Sequence, residues 1–532
     1  MSVKITKVLI SDNVDQKCED LLTANGVEVV RKCNLKPEEL IKELENCNGL
    51  IVRSETKVTK EILDNAKSLK VIGRAGTGVD NIDVTAATRR GIIVLNAPNG
   101  NSISACELAC SFITILARNI TGACQSMKEG RWDRKAFSNG SELLGKTLAI
   151  IGLGRIGKEV AIRMKSFGMQ VVGYDPFVTA EEAKLYSIVK MELDDIWPLA
   201  DYITIHTPLI PQTRNLLNKS VFARCKREFR IVNAARGGII NEEDLLEALN
   251  NGTCAGAALD VFSEEPPSNA ISKNLIAHPK VIATPHLGAS TKEAQTRVAV
   301  EVAEQFVSLN DASSEYKVTG ILNAPALLAS RQSENAAWLE LAEQLGRVIS
   351  RISKEYTLKG SNIKITLAGP EIQNMKFLST SVLLGLLSGN IQNGYNLINS
   401  PLYAKEAGLN FFFEEFNDKI KIVSITNRNI LKISAHNDTV PLFSAEGTVI
   451  DNVPYLLQIN DAAFPPASVQ LLKNIQIYSC DIDKVSVAIS AAMSNNEKVT
   501  NLSIAYGKQA WIALIADKLK DNVAIPENVR QF

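Results

Sequence analysis

The segment Ile150-Ile151-Gly152-Leu153-Gly154-Arg155-Ile156-Gly157 constrains the fold more than any other stretch of the 532 residues. An apolar run enters a G-x-G-x-x-G loop, and helix-compatible sequence continues to Phe167. Gly152 allows a tight turn and Gly154 lets the backbone approach a pyrophosphate. Gly157 lets the helix pack on the strand, which leaves helix N-terminal N–H groups aimed at phosphate. A glycine triplet alone says little. Here the next apolar run, Val171 to Tyr174, ends at Asp175, eighteen residues past Gly157. A carboxylate there can accept hydrogen bonds from the adenosine ribose hydroxyls and would repel a 2′-phosphate, so the pattern predicts NAD rather than NADP. Thr207-Pro208, after the run Tyr202 to His206, falls at another carboxyl end of the same sheet and is expected on the adenine side.

The flanking sequence repeats the strand–helix rhythm. Apolar runs at Val8–Ser11, Val27–Val30, Gly49–Arg53, Lys70–Arg74 and Gly91–Leu95 alternate with amphipathic stretches such as Lys36–Glu45 and Lys60–Ala66, which reads as a parallel sheet covered on both faces. Ser102 to Asn119 is apolar on most of its surface and is expected to be a deeply buried helix between two lobes. Six further strand candidates follow, at Lys146–Ile151, Val171–Tyr174, Tyr202–His206, Ile231–Asn233, Ala255–Leu259 and Val281–Thr284, and then a helix candidate at Lys292–Leu309. Beyond Ala324-Pro325 the texture becomes α+β. Long helix candidates lie at Asn335–Ser353 and Ser379–Leu387, with strand candidates at Asn362–Leu367, Phe411–Phe413, Ile420–Thr426, Tyr455–Ile459, Ile475–Ser479 and Leu502–Tyr506.

Composition narrows the function classes. Fifty-eight Lys+Arg balance fifty-eight Asp+Glu, so no net field attracts nucleic acid or an anionic bilayer, and neither is expected as a partner. No window reaches the roughly 18 apolar residues of a membrane span, and the N-terminal apolar run is cut by Lys and Asp, so a cytoplasmic location is expected. Nine scattered cysteines without a C-x-x-C pair argue against a disulfide framework or a metal site, and no metal is expected.

Three residues near strand ends can carry chemistry: Arg236 in Asn233-Ala-Ala-Arg-Gly-Gly238, Glu265 in Asp260-Val-Phe-Ser-Glu-Glu-Pro266, and His286 in Thr284-Pro-His-Leu-Gly-Ala289. Removing hydride from a secondary alcohol leaves an oxygen-bound proton, which imidazole can take near neutrality. A carboxylate beside the ring would fix its tautomer and favour the imidazolium, and an arginine can fork onto a substrate carboxylate. Of the other histidines, His206 sits at an apolar strand end and reads as structural, His278 lies in a turn, and His436 is remote from the glycine loop. Read singly, Glu265 is also compatible with a solvated charge and Arg236 with a surface ion pair.

With these motifs the chain resembles the D-isomer-specific 2-hydroxyacid dehydrogenases. The resemblance rests on the Gly152 loop with Asp175, ARGG at Ala235–Gly238, LDVFSEEPP at Leu259–Pro267, PHLGAST at Pro285–Thr291 and GRAGTGVDNID at Gly73–Asp83. Within the family it is to the long members that use NAD to oxidise 3-phospho-D-glycerate to 3-phosphohydroxypyruvate, the first step of phosphorylated serine synthesis. It implies Arg236 as the substrate arginine, His286 as acid/base and Glu265 as its partner. It also implies NAD contacts at Thr77, Arg155, Ile156, Asp175, Thr207, Ala234, Ala235, Arg236, Asp260, His286, Leu287, Gly288 and Ala289. The implied fold is two-lobed, with a Rossmann doubly wound domain (101–289) inserted in a flavodoxin-like substrate domain (1–100 and 290–320). Small α+β domains follow at 326–450 and 451–532, the second of an effector-binding, ACT-like kind. A homodimer through the helix from Ser102 and the loop past Trp132 is expected, paired into a homotetramer by the C-terminal domains.

A phosphate on the substrate has its own trace. Arg53 and Arg74 end neighbouring strand candidates, so both guanidinium groups can converge on one anion near the backbone of Gly76, unless they are unrelated surface residues. Arg134, in Arg131-Trp-Asp-Arg134, is a weaker phosphate candidate. In the C-terminal region Tyr455–Asp461, Pro466–Leu472 and Ile475–Ser479 are expected to open the ACT-like domain as β-α-β. That segment reads Ile459-Asn-Asp-Ala-Ala-Phe-Pro465 in place of the His-x-Asn-x-Pro-Gly serine-site pattern of bacterial long forms. The competing readings are a glyoxylate/hydroxypyruvate reductase and an NAD-sensing transcriptional co-regulator on the same fold.

Overall fold

The computed structural model describes residues 3–311, 313–353, 360–388, 394–414, 429–437, 440–471, 475–518 and 529–532. The first sheet is all parallel, in the order Glu28–Arg31, Lys7–Ile10, Gly49–Val52, Val71–Arg74 and Ile93–Asn96. Numbered along the chain this is 2-1-3-4-5, the flavodoxin-like arrangement. Its middle strands are apolar without interruption because helices cover both faces.

From the first sheet the chain crosses along the helix Ser102–Arg118 into a seven-stranded parallel sheet. The order there is Val281–Ala283, Cys254–Leu259, Phe229–Asn233, Tyr202–Ile205, Thr147–Ile151, Gln170–Tyr174 and Val189–Lys190. Six of these strands are the expected ones. The seventh, Val189–Lys190, is a two-residue edge strand too short and too exposed to show a hydrophobic pattern. The strand order reverses at Thr147–Ile151, so the glycine loop sits at the topological switch point.

The crossing helix buries Ala105, Cys106, Ala109, Phe112 and Ile113 and leaves Glu107, Ser111 and Arg118 exposed. One side therefore packs against Val160 and Met164 of the glycine-loop helix Arg155–Lys165, and within one chain the helix is not buried all round. The helix Lys292–Asn310 carries the chain back to the first sheet. Its Val298, Val302 and Phe306 pack with Val8, Ile51 and Leu95, and burying an aromatic side chain like Phe306 contributes about 1.5–3 kcal/mol. No single helix among the described residues is long and apolar enough to cross a membrane.

The third sheet is mixed, running Asn410–Glu414, Asn362–Ala368, Ile430–Asn437, Val440–Ile450, Val453–Ile459 and Ala462–Ala463, with Val469–Gln470 pairing back on Tyr455–Leu456. Two helices, Ser333–Ile352 and Leu378–Leu387, pack on it. The strand candidate Ile420–Thr426 lies outside the described residues.

Two expectations for this region need correction. Residues 450 and 451 do not separate domains, because Asp451 and Asn452, with φ of 50° and 60°, make a tight hairpin turn between two strands of one sheet. Nor do residues 466–471 form the helix of an opening β-α-β, and Leu472 lies outside the described residues. Buried Val469 and Leu471 alternate with half-buried Gln470, a strand pattern, and Pro465-Pro466 removes two backbone donors just before it. The last unit begins instead at Ile475–Cys480. The helix Val485–Asn495 and the strands Glu497–Tyr506, Ala510–Lys518 and Val529–Gln531 follow. Counted from Ile475 its sheet order is 2-3-1-4, antiparallel at every pairing, as in the split βαβ fold.

Candidate active site

The glycine loop is built by contacts that only small residues allow. Gly152, at φ +100°, donates its N–H to Tyr174 O at 2.9 Å. A Cβ on Gly157 would lie 2.1 Å from Gly152 O, so the helix Arg155–Lys165 can start this close to the strand only because position 157 is bare. Around Gly154, by contrast, there is open space, the side on which a pyrophosphate would lie. Arg155 and Ile156 form the first helical turn. Asp175 ends the next strand and accepts from the N–H groups of Leu153 and Phe177, each at 2.9 Å, which ties the carboxylate to the loop. Thr207 lies against Gly152, and its Oγ1 is buried without a hydrogen-bond partner. Pro208 O accepts from Thr213 Oγ1 at 2.6 Å. Open space at Gly154, an orphaned hydroxyl at Thr207 and a fixed carboxylate at Asp175 fit a dinucleotide.

His206, beside this loop, bonds through Nε2 to Thr204 Oγ1 at 3.0 Å, and burial pushes its pKa down to about 4. It stays neutral at physiological pH, as its structural reading expects.

Three turns at the carboxyl ends of the same sheet carry the chemical candidates. After Phe229–Asn233, the buried Asn233 side chain accepts from Ala235 N at 3.1 Å and donates to Arg236 O at 2.9 Å, folding Ala234, Ala235 and Arg236 into a fixed turn. After Cys254–Leu259, the buried Asp260 accepts from Leu287 N at 2.7 Å and Gly288 N at 2.8 Å, and its backbone carbonyl accepts from His286 N at 2.9 Å. Asp260 thus pins the loop that holds His286 at φ +54°. Ala289 O accepts from Gln295 Nε2 at 2.6 Å, where the chain turns into the return helix.

His286 Nδ1 meets Glu265 Oε2 at 2.8 Å, while Glu265 Oε1 accepts from Phe262 N at 3.1 Å. Burial opposes ionisation of Glu265, but the hydrogen bond and charge of His286, the Phe262 N–H and the charge of Arg236 outweigh it, leaving the carboxyl below its ordinary range. An ionised Glu265 accepts from Nδ1–H and leaves Nε2 as the free ring nitrogen. A cavity of about 490 Å³ borders the pair, lined by Asp260, Phe262, Glu265, Pro266, Thr284 and His286.

The first lobe supplies cations. Arg74 ends its strand with Nε donating to Arg53 O at 3.2 Å and Nη1 to Gly78 O. Burial first, then the charge of Arg236, offset by Asp80, and then that of Arg53, offset by Asp12, push the Arg74 pKa down to about 10. It remains a cation at neutral pH, but one held among other cations. Arg53 reaches Asn13 O through Nη1 at 3.3 Å. Its loop is fixed by the buried Asp12, which accepts from Arg53 N at 2.6 Å, Glu55 N at 3.2 Å and Thr56 N at 3.1 Å. Gly76 O accepts from Ala97 N at 3.0 Å, and Thr77 Oγ1 bonds to Asn101 at the start of the crossing helix. Arg236 joins the group across the cleft, its Nε donating to Asp80 at 3.0 Å.

The structure therefore gathers Arg53, Arg74, Gly76 and Arg236 at the cleft and joins Glu265 to His286. Arg134 stands apart on the exposed turn Arg134–Phe137, and none of its described contacts reaches the cluster. Sequence reasoning missed Asp12, Asp80 and Asn233. For Asp12 and Asn233 the signal open to it was a polar residue placed at or just after an apolar run, whereas Asp80 stands six residues past Arg74 in a loop.

Residues 110–288 match the model of the D-isomer specific 2-hydroxyacid dehydrogenase NAD binding domain, and residues 335–460 match that of the D-3-phosphoglycerate dehydrogenase intervening domain. The chain is 46% identical over 490 residues to D-3-phosphoglycerate dehydrogenase of Pan troglodytes, covering 88% of this chain and 90% of that one. The chain belongs to the D-3-phosphoglycerate dehydrogenase family. It is an NAD-dependent dehydrogenase. The dehydrogenase of this name from Bacillus subtilis is 42% identical over 407 residues, 76% of this chain and 75% of that one. A crystal structure of a protein from Thermus thermophilus aligns with a TM-score of 0.53 at 31% identity, over 60% of this chain and all of that one. The match to the intervening domain runs to 460 and so takes in Val453–Ile459, in line with the sheet that crosses residue 450.

Proposed function

We propose that the enzyme oxidises 3-phospho-D-glycerate to 3-phosphohydroxypyruvate, the first step of phosphorylated serine synthesis, in the cleft between the two parallel sheets. The observation that carries this reading is the cluster of Arg74, Arg53 and Arg236, in which the charges of Arg236 and Arg53 act on Arg74 and are offset by Asp80 and Asp12. A substrate with a carboxylate at one end and a phosphate at the other answers that field, whereas glyoxylate needs only one arginine.

In this reading Arg236 binds the substrate carboxylate and Arg53 and Arg74 bind the phosphate, with backbone from Gly76 beside them. Arg134 would contribute only from a neighbouring subunit. His286 Nε2 takes the hydroxyl proton while Glu265, bonded at Nδ1, holds the ring and favours the imidazolium that forms. NAD, when bound, supplies the acceptor for the hydride leaving the same carbon. Gly152, Gly154, Arg155, Ile156 and Gly157 cradle its pyrophosphate and Asp175 its ribose. Thr207, Pro208, Ala234, Ala235 and the loop His286 to Ala289 line the rest, with Thr77 on the opposite wall and Asp260 holding the loop. Residues 1–100 and 290–320 serve as the substrate domain and 101–289 as the NAD domain. The unit from Ile475 is the ACT-like regulatory domain.

We assign the enzyme to the cytoplasm and to a homodimer built on the crossing helix and the arm after it, where Ile120, Met127 and Trp132 are 45%, 55% and 79% exposed. The C-terminal domains pair dimers into a tetramer. A steady-state assay following NADH, with 3-phosphoglycerate, D-glycerate and hydroxypyruvate, separates the readings. A strong preference for 3-phosphoglycerate is expected. A preference for hydroxypyruvate reduction would identify a reductase instead, and no turnover of any of the three a co-regulator.

A further inference from the structure

Arg236 belongs to the NAD lobe, but its orientation is fixed from the other side of the cleft. Its Nε donates to Asp80 Oδ2 at 3.0 Å, and its Nη1 donates to Ala235 O at 2.6 Å. Nη2 has no acceptor among the described hydrogen bonds. A guanidinium offers five N–H donors and can fork onto a carboxylate along either its Nε/Nη edge or its Nη1/Nη2 edge. Asp80 occupies Nε and so closes the first edge, whereas on the second edge Nη1 keeps one of its two N–H groups beside the bond to Ala235 O and Nη2 keeps both.

The loop around Asp80 is shaped for this contact. A Cβ on Gly78 would lie 1.8 Å from Arg236 Nη2 and 2.7 Å from Asp80 Oδ2, so the guanidinium passes over bare backbone. Gly78 O meanwhile accepts from Arg74 Nη1. One short loop of the first lobe thus holds Arg74 by a carbonyl and Arg236 by a carboxylate, and Asp80 stands between the two cations. Asp80 is 65% exposed, which makes the pair a weak source of stability.

We infer that Asp80 is a positioning residue for Arg236, a carboxylate of the substrate lobe that reaches across the cleft and turns the guanidinium so that its Nη1/Nη2 edge meets the substrate carboxylate. The inference rests on the reading of Arg236 as the substrate arginine. It makes the geometry of carboxylate recognition depend on both lobes at once, although the arginine itself comes from only one.

The test is a double-mutant cycle in the full-length enzyme with Asp80→Ala, Arg236→Ala and the double variant. The readouts are kcat and KM for 3-phosphoglycerate, NAD affinity by calorimetry and Tm. Misplacing a binding group by about 1 Å can cost on the order of 100-fold, so Asp80→Ala is expected to lower kcat/KM by about 10- to 100-fold, with NAD affinity and Tm near wild type. Asp80→Asn, which keeps an acceptor oxygen in place, should recover part of the loss, and it carries the cycle if the alanine variant does not fold. In the Arg236→Ala background, removing Asp80 should change kcat/KM by no more than about twofold. Losses that multiply, or an Asp80→Ala enzyme indistinguishable from wild type while Arg236→Ala is impaired, overturn the inference alone. An Arg236→Ala enzyme with wild-type kcat/KM removes the substrate-arginine reading and this inference with it.

Discussion

At the carboxyl ends of its strands the seven-stranded sheet presents glycines, alanines and short turns, such as Gly152 and Ala234, whereas the five-stranded sheet presents Arg53 and Arg74. Both sheets are parallel, both are covered by helices, and both gather their exposed chemistry at the same end. The difference lies in what each must bind. A dinucleotide is held by backbone that comes close, so side chains there are small. In the reading proposed above, a phosphate is held by long cationic side chains, with Arg53 on a loop that Asp12 fixes and Arg74 held by Gly78 O. The acid/base pair belongs to the seven-stranded side. Chemistry and cofactor binding are therefore expected to fail with residues of the seven-stranded lobe and recognition of the phosphate with residues of the five-stranded lobe, while the substrate carboxylate depends on both through Arg236 and Asp80.

The largest effect that would break this division is on the chemical step. His286→Ala is expected to lower kcat by about 100- to 10,000-fold, while NAD affinity, measured by calorimetry, stays near wild type. A change confined to KM would mean that His286 binds and does not transfer the proton. Next in size is cofactor choice: Asp175→Ala should improve use of NADP relative to NAD by about tenfold, the scale of one lost hydrogen bond to a charged group. Equal wild-type efficiency with both cofactors would remove Asp175 from the ribose site.

The Glu265 carboxyl is held below its ordinary range and so stays charged through the acid limb of the pH–rate profile. Oxidation needs neutral imidazole, and the carboxylate favours imidazolium. Glu265→Gln should therefore move the acid limb of the kcat/KM profile toward lower pH. An unmoved limb would detach Glu265 from His286. The smallest kinetic effect concerns the C-terminal region. A chain ending at residue 325 is expected to keep NAD binding within about twofold, as distant sites act independently, and to sediment as a dimer. A truncated chain that remains tetrameric would place the second interface in the catalytic lobes.

The dehydrogenase core was legible because chemistry limits which residues can stand at the strand ends. The glycine loop, Asp175, Arg236, Glu265 and His286 each occupy a position where few residue types work, and their places near strand ends, with the motifs of the family resemblance, pointed to one site. Residues that hold these groups were not legible. Asn233 and Asp12 look like ordinary polar residues beside apolar runs and Asp80 like an ordinary loop acid, and what they do follows only from which turn comes within hydrogen-bond reach. The C-terminal region shows the same limit at larger scale. The expected boundary between residues 450 and 451 falls where two adjacent positive-φ residues, Asp451 and Asn452, make a tight hairpin turn within one sheet. The first strand of the last unit, Ile475–Cys480, was visible, but its place as an opening strand depended on pairing with Ala510–Lys518 and Val529–Gln531, which sequence spacing does not encode.

The most direct test of the division between the lobes is the ratio of kcat/KM for 3-phosphoglycerate to that for D-glycerate, measured in wild type and in Arg74→Ala. If the first lobe reads the phosphate while the second performs the oxidation, losing one charge-assisted contact of about 1.5–3 kcal/mol should lower the ratio by about 10- to 100-fold. Turnover of D-glycerate should stay close to wild type. A ratio that does not move, or an equal loss with both substrates, would contradict the account.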